Sequence, residues 1–143
     1  AYVDAILRLG YPVGRVLFEL PGSALQLDLA ILDNAGRVVV LGEAKRDTAM
    51  LDALRTKVAR RYSAAAPDMT TAKDEARQLA WRLWTVKPDY TWLIGPNHRP
   101  AFTTTTAPLR LEPTADGRLP AAVDLALDRP PPVAMMPPPM LLR

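Results

Sequence analysis

Two carboxylates and one lysine near the middle of the chain have the types and the spacing of a reactive site. Asp28 lies in a run that alternates apolar and polar residues, and Glu43 directly follows the apolar run VVVLG. Glu43 and Lys45 are two residues apart, so their side chains share one face of a β-strand. Two carboxylates about one strand spacing apart repel each other unless a cation lies between them. The pattern therefore predicts a divalent-metal site with oxygen ligands from Asp28, Glu43 and the backbone carbonyl of Ala44.

Phosphodiester hydrolysis is the chemistry that such a site would perform. A hard cation polarises a phosphoryl group and lowers the pKa of the water that it binds. Lys45 would position that water or stabilise the negative charge that develops in the transition state. The alternative interpretation is a hairpin with an ordinary polar outer face, because acids and lysines are common at strand edges. We favour the site, since a fully solvated face would be unusual directly after so apolar a run.

The remaining composition narrows the choice of metal and excludes other catalytic classes. Cysteine is absent, so disulfides and thiolate-bound metals are excluded. His98 is the only histidine, so one chain cannot build a multi-histidine zinc site. A serine triad would also need His98, and no Gly-x-Ser-x-Gly elbow is present. The predicted cofactor is therefore Mg²⁺ or Mn²⁺, which carboxylates and backbone oxygens bind well.

The two predicted strands that carry the site form an antiparallel hairpin. They cover 25–33 and 37–45, and the short Asn/Gly turn between them is typical of such a connection. A two- or four-residue connection places Asp28 and Glu43 on the same face. A three-residue connection places them on opposite faces, because a one-residue slip inverts the pattern. In that case a bulge is required, and Gly42 is the residue expected to form it.

The surrounding elements predict one α/β domain over residues 1–128 and a Pro-rich tail over 129–143. The predicted helices cover 2–9, 48–63 and 71–86, and the predicted strands outside the hairpin cover 15–20 and 90–95. An edge strand at 109–112 and a short helix or strand at 121–127 follow. This order predicts a mixed sheet flanked by helices. The tail should be extended or polyproline-like.

The hairpin residues resemble the core motif of the PD-(D/E)XK nuclease superfamily. The stretch LQLDLAILDNAGRVVVLGEAKRD is similar in style to the N-terminal nuclease domain of type I restriction enzyme R subunits. The resemblance spans roughly residues 2–95 and implies a restriction-endonuclease-like mixed sheet flanked by helices. It also implies that Asp28 and Glu43 are the metal-binding acids and that Lys45 is the catalytic lysine.

The same resemblance draws attention to further positions. Gln78, on the second predicted helix after the motif, resembles a glutamine that several branches of the superfamily place near the site. The tyrosine that usually follows it is absent, and Trp81 and Arg82 stand there instead. Many branches add a glutamate from the first helix. This chain offers Asp4 on that helix, or else Glu19 on the first predicted strand.

A group of basic residues at and before the predicted helix 48–63 indicates a phosphate-binding surface. The group consists of Arg46, Arg55, Lys57, Arg60 and Arg61. It would hold the backbone of DNA beside the metal site, although an ordinary solvated helix face fits the same residues equally well. The net charge of +3 permits a polyanionic partner without requiring one.

Four other residues receive structural rather than functional interpretations. We expect Trp81, Trp84 and Trp92 to lie in the core rather than to stack on nucleic-acid bases. We expect His98, in the loop PNHRP, to be a surface residue rather than a general base.

The function expected from these features is magnesium-dependent cleavage of DNA phosphodiesters in restriction, defence or repair. The alternative is a non-catalytic module that binds nucleic acid or protein on the same fold. No apolar run approaches the roughly 18–20 residues of a membrane span and no export signal is recognisable, so we expect a cytoplasmic protein with no membrane partner. One site per chain favours a homodimer for cleavage of both strands, and a subunit of a larger nuclease complex is the other expected assembly.

Overall fold

A computed structural model describes residues 2–18, 28–68 and 74–132 of the 143-residue chain. The α-helices in these ranges are α1 (Tyr2–Leu7), α2 (Thr48–Arg61) and α3 (Glu75–Val86). The strands are β1 (Val16–Phe18), β2 (Leu29–Leu32), β3 (Val38–Ala44), β4 (Tyr90–Ile94), β5 (Ala101–Thr105) and β6 (Arg110–Pro113). Two short 3₁₀ helices, Val13–Arg15 and Ala122–Leu125, complete the described elements.

The six strands form one mixed sheet in the order β1-β2-β3-β4-β5-β6. β3 and β4 are parallel, whereas the other neighbouring pairs are antiparallel. A parallel pair needs a crossover connection, which α2 and α3 supply. The predicted α/β class, with a mixed sheet and flanking helices, is confirmed.

Local sequence explains where α2 and α3 begin. Asp47 precedes α2, and its carboxylate accepts a hydrogen bond from the backbone N–H of Ala49. Asp74 precedes α3 and accepts in the same way from Arg77. Such caps satisfy backbone donors that the first helical turn leaves unpaired. Because α2 begins only a few residues after β3 ends, its start lies beside that end of the strand.

The hydrophobic core has two parts, one on each face of the sheet. The part under α2 and α3 includes Ala30, Leu41, Leu51, Leu54, Val58, Ala76, Leu79, Leu83, Leu93 and Phe102. The part on the opposite face includes Tyr11, Val16, Leu29, Ile31, Trp92, Ile94, Leu119 and Ala122. Trp92 is 3% exposed, so its predicted core position is confirmed. Trp84 packs at the margin of the helix-side core, and Trp81 is half-buried on α3.

The C-terminal elements refine the predicted boundaries. β6 is an edge strand, as expected for 109–112, and the region 121–127 contains the second 3₁₀ helix. The carbonyl of Arg129 accepts a 2.8 Å hydrogen bond from Nε of the buried Arg15, so the chain is tied to the domain where the predicted tail begins. The rest of that tail, from residue 133, lies outside the described residues, as do residues 25–27 of the predicted hairpin.

Candidate active site

The connection between β2 and β3 has three residues, the one predicted length that by itself separates Asp28 from Glu43. Asp33 donates its backbone N–H to the carbonyl of Arg37 at 2.9 Å, which leaves a three-residue connection, 34–36. This register by itself would put Asp28 and Glu43 on opposite faces of the sheet.

A β-bulge in β3 returns Asp28 and Glu43 to the same face of the sheet. Leu32 pairs with Val38, whereas Ile31 pairs with Val40, so Val39 is the extra residue on β3. An extra residue on one strand shifts the alternation of faces by one. The bulge that the site requires is therefore present, although it lies nearer the turn than expected.

The predicted bulge position, Gly42, is wrong, because Gly42 is regularly paired with Leu29. A Cβ atom on Gly42 would lie 3.0 Å from the Cβ of Leu29 and 3.2 Å from Cδ1 of Ile94. Glycine at this position thus permits close packing in the core opposite the helices. Extending the same register by one step places Asp28 directly opposite Glu43.

Asp28 and Glu43 lie on the sheet face that α3 covers. They continue the alternation of Ala30 and Leu41, which belong to the helix-side core. One oxygen of Asp28, Oδ2, accepts a 2.9 Å hydrogen bond from the backbone N–H of Ala44. This bond anchors the Asp28 carboxylate to the end of β3, beside Glu43.

Glu43 is a buried carboxylate, 6% exposed, with a cationic group near each of its oxygens. Nη1 of Arg82 donates to Oε2 at 2.9 Å, and Nζ of Lys45 lies 3.5 Å from Oε1. Burial raises the pKa of Glu43 above its usual value, and repulsion from Asp28 adds to this, whereas Arg82 and Lys45 oppose it. The cost of burying the charge therefore outweighs the attraction of its two partners.

Lys45 connects the end of β3 to α3. Its backbone N–H donates to the carbonyl of Ile94 at 2.9 Å, so it lies where the parallel strands β3 and β4 end together. Its Nζ lies 3.0 Å from Oε1 of Glu75, at the start of α3. Partial burial alone would lower the pKa of Lys45, but the hydrogen bond to Glu75 and the charge of Glu43 raise it. Lys45 is therefore positively charged at neutral pH.

Asp28, Glu43 and Lys45 form a polar cluster at the end of the hairpin, and one side of α3 supplies further polar groups to it. Glu75, Gln78 and Arg82 are separated by three and four residues, a spacing that puts them on one side of a helix. Glu75 contacts Lys45 and Arg82 contacts Glu43, so this side faces the hairpin. Gln78 is half-buried and lies between the other two along that side.

Sequence reasoning did not identify Glu75 and Arg82 as site residues. Neither has a signal of its own, because a partner for the hairpin acids becomes identifiable only when α3 is placed over β3. The spacing of four residues between Gln78 and Arg82 is the available hint, since it predicts that both face the same way.

The charges and donor atoms of the cluster are compatible with a hard cation. Three carboxylates and two cationic side chains leave one net negative charge, and every candidate ligand atom is an oxygen. A cation near both Asp28 and Glu43 would relieve the repulsion that helps to raise the pKa of Glu43. Among the described residues, no group of three or more acidic or histidine side chains could hold a metal. The pair would therefore need a backbone oxygen, such as the carbonyl of Ala44, as a third protein ligand.

The basic residues named from the sequence differ in their exposure. Arg46, Lys57, Arg60 and Arg61 are exposed. Arg55 is half-buried instead, with its guanidinium carbon 4.7 Å from the centre of the Phe102 ring on β5. Arg55 thus packs over the part of the sheet away from β2 and β3.

Of the three other residues named from the sequence, the structure describes the side chain of His98 alone. His98 is exposed in the loop after β4. Glu19 and the side chain of Asp4, the candidates for a third acid, lie outside the described residues.

Comparison with protein-family models, with curated proteins and with solved structures found no match to this chain. In the part of the chain that the structure describes, no helix is long and apolar enough to cross a membrane.

Proposed function

We propose that this chain is a divalent-metal-dependent nuclease that hydrolyses DNA phosphodiester bonds at Asp28, Glu43 and Lys45. The observation that carries the proposal is the hairpin register, which brings Asp28 opposite Glu43 with Lys45 3.5 Å from Glu43. The order of one helix, three strands and then helices also agrees with the resemblance to PD-(D/E)XK nucleases. The protein would act in the cytoplasm, in restriction, defence or repair, as a homodimer or within a larger nuclease complex.

The residues of the cluster would divide the reaction among them. A Mg²⁺ or Mn²⁺ ion held by Asp28, Glu43 and the carbonyl of Ala44 would polarise the phosphoryl group and lower the pKa of water. Lys45 is charged, so it donates hydrogen bonds to phosphate oxygens and stabilises the charge that develops on them, and it does not act as the base. Water adds to phosphorus, the bond to the leaving oxygen breaks, and that oxygen takes up a proton.

The residues on α3 prepare the cluster for this role. Glu75 holds the ammonium group of Lys45 at 3.0 Å and thereby fixes its direction. Arg82 opposes the rise in the pKa of Glu43 and so favours the ionised form, which is the form that binds a cation. Gln78, on the same side of α3, would orient Lys45 or a substrate phosphate.

A cleavage assay with matched variants tests the proposal. The parent protein should nick supercoiled plasmid DNA in Mg²⁺ or Mn²⁺ and lose this activity in EDTA. Lys45→Ala and Asp28→Ala should lower the rate by roughly 100-fold or more, as expected when a group that stabilises the transition state is removed. Asp52→Ala, which removes an exposed carboxylate from α2, is the control and should cut like the parent. Equal cleavage by the parent and the Lys45→Ala or Asp28→Ala protein would remove the mechanism.

A second candidate function is a non-catalytic module that binds nucleic acid or protein on the same fold. The observation in its favour is that both oxygens of Glu43 already face cations, Arg82 and Lys45, so the cluster can also serve as an ion-pair network that joins α3 to the sheet. This candidate predicts DNA binding without hydrolysis and no metal between Asp28 and Glu43. Crystals soaked in Mn²⁺ separate the two, because only the nuclease proposal predicts an anomalous peak between those carboxylates.

A further inference from the structure

A cleft on the sheet face opposite α2 and α3 combines a basic lining with an apolar floor. Its volume is about 970 Å³. Trp92, Leu9 and Leu119 line it and belong to or pack against the core on that face. Arg8, Arg99 and Arg118 line it as well, and we call the site that these three residues define the arginine cleft. None of its residues belongs to the candidate active site.

The lining of the arginine cleft favours an anionic ligand. Guanidinium groups present planar forks of N–H donors that match the oxygens of a phosphate. Among the described lining residues, Asp116 is the one carboxylate. Its Oδ1 accepts hydrogen bonds from the backbone N–H of Arg118 at 3.0 Å and from Oγ1 of Thr114 at 3.4 Å. The bond from Arg118 is the main reason that the pKa of Asp116 lies below its usual value, so this acid builds the turn that carries Arg118.

The size of the cleft suits a ligand larger than a single small anion. Sites for drug-sized ligands have volumes of about 300–1,000 Å³, and the arginine cleft lies near the upper end of that range. A single phosphate would leave most of this space to water. The carbonyl of Arg99 accepts a 3.2 Å hydrogen bond from Nε1 of Trp92, which holds the Arg99 loop beside the indole. A sugar–phosphate backbone offers both the charges and the less polar sugar surface that such a lining can contact.

The arginine cleft lies at the same end of the sheet as the candidate active site. The loop 96–100, which lines the cleft, directly follows β4. Ile94, the last residue of β4, accepts the hydrogen bond from the backbone N–H of Lys45. Arg99 comes five residues after Ile94, so their Cα atoms lie at most about 18 Å apart. This upper limit equals the length of about five base steps of roughly 3.4 Å each. A DNA strand that contacts both sites would pass around this end of the sheet, because the cleft and the candidate active site lie on opposite faces.

We propose that the arginine cleft binds backbone phosphates of the DNA substrate, a few nucleotides away from the bond cleaved at Lys45. The inference deepens the proposed nuclease function and rests on it for the link to cleavage. It assigns the main phosphate contacts to the end of α1 and to the loops after β4 and β6 rather than to α2. The ligand is recognised by its phosphates and not by its base sequence, because guanidinium contacts to the backbone carry no sequence information.

Two variants that remove the same charge from different places test this assignment. The cleft variant carries Arg8→Gln, Arg99→Gln and Arg118→Gln. The matched control carries Lys57→Gln, Arg60→Gln and Arg61→Gln, three exposed positions on α2. Binding of a short fluorescent DNA duplex is measured by polarisation in EDTA over about 50–200 mM salt. EDTA keeps cleavage from interfering with the measurement.

The cleft variant should lose both affinity and salt dependence. Each phosphate contact contributes about 0.9 to the slope of log affinity against log salt, so three lost contacts should lower the slope by roughly 2–3 and the affinity by about tenfold or more. The α2 variant should lose less by both measures. Parental affinity in the cleft variant, or an equal or larger loss in the α2 variant, overturns the proposal. Because Arg99 is half-buried, the double variant Arg8→Gln/Arg118→Gln provides a second test at two exposed positions, with about two thirds of the slope change expected.

Two additional arms identify the ligand and separate this proposal from the nuclease proposal. Inorganic phosphate is titrated as a competitor, and displacement of the duplex at comparable molar concentrations would show that the cleft takes a free anion rather than DNA. Plasmid cleavage is then measured in Mg²⁺ for the same variants. If the parent protein binds DNA without cleaving it and the cleft variant loses this binding, the cleft assignment is supported and the nuclease proposal is refuted. If cleavage requires Lys45 but the cleft variant cleaves DNA like the parent, the nuclease proposal is supported and the cleft assignment is refuted.

Discussion

Replacing Arg82 with methionine should reveal how strongly the fold depends on the charge balance around Glu43. Methionine keeps much of the apolar stem of arginine but lacks the guanidinium that donates to Glu43 at 2.9 Å. The two side chains are only 13% and 8% exposed. Removing one partner of a buried ion pair costs about 3–5 kcal/mol. Because Lys45 still lies 3.5 Å from the other oxygen of Glu43, we expect the lower end of that range, about 3 kcal/mol.

Thermal and urea unfolding in EDTA measure this loss. For a chain of this size, about 3 kcal/mol should lower the Tm by roughly 6–12 °C. The double variant Glu43→Gln/Arg82→Met should regain most of the stability, because it no longer buries a charge without its main partner. Arg60→Met, at an exposed position of α2, is the matched control and should change the free energy of unfolding by less than about 0.5 kcal/mol.

The same variant also responds to the metal that the nuclease proposal requires. A divalent ion near Glu43 would replace part of the charge that Arg82 provided, so Mg²⁺ should stabilise Arg82→Met more than it stabilises the parent. A ligand at 100 times its Kd adds about 2.7 kcal/mol to the free energy of unfolding. Asp28→Asn/Arg82→Met should lack this response. If Arg82→Met is as stable as the parent in EDTA, the reasoning about the buried ion pair is refuted. If Mg²⁺ stabilises the Arg82→Met protein equally with and without Asp28, metal binding at Asp28 is refuted.

Two further substitutions test the packing that supports the hairpin. Arg15→Ala should lower the free energy of unfolding, measured in urea, by about 3 kcal/mol or more, because it opens a cavity and removes the donor from two main-chain carbonyl groups. Arg61→Ala, at an exposed position, is the control and should change the free energy of unfolding little. Gly42→Val should cost about 1–3 kcal/mol, since its side chain would collide with Leu29 and Ile94, and parental stability of that variant would contradict the close approach of β2 and β3.

The elements with strong periodicity could be predicted from the sequence. β3, α2 and β4 lie within one or two residues of their predicted bounds, because apolar spacing and turn residues agree at both ends. β5 and the second 3₁₀ helix were harder to predict. Their segments have mixed composition, and their conformation follows from pairing with β4 or from packing on the sheet. Tertiary contacts rather than local propensity decide such segments.

The cluster could be predicted only in part. Glu43 and Lys45 share a face of one strand, so a period of two residues suffices to relate them. Arg82 and Glu75 come from α3, some thirty to forty residues later in the chain, and their approach depends on how α3 crosses the sheet. The partners of a buried carboxylate are thus a property of the packed fold. A single sequence indicates that a partner is needed but does not name it.

The register of the hairpin shows why the face of the sheet on which Asp28 lies could not be predicted from the sequence. All four residues of β2 are buried, so both faces of this strand are apolar and either register would bury them. Hydrophobic alternation, the usual determinant of register, therefore gives no preference here. The polar end of the hairpin does distinguish the registers, because the bulge at Val39 turns Asp28 toward the N–H of Ala44 and the side of Glu43. Without the bulge Asp28 would face the core around Ile94, where an ionised carboxylate is costly to bury. The extra residue in β3 thus keeps the Asp28 carboxylate out of the core and places it beside Glu43, where a cation could bind.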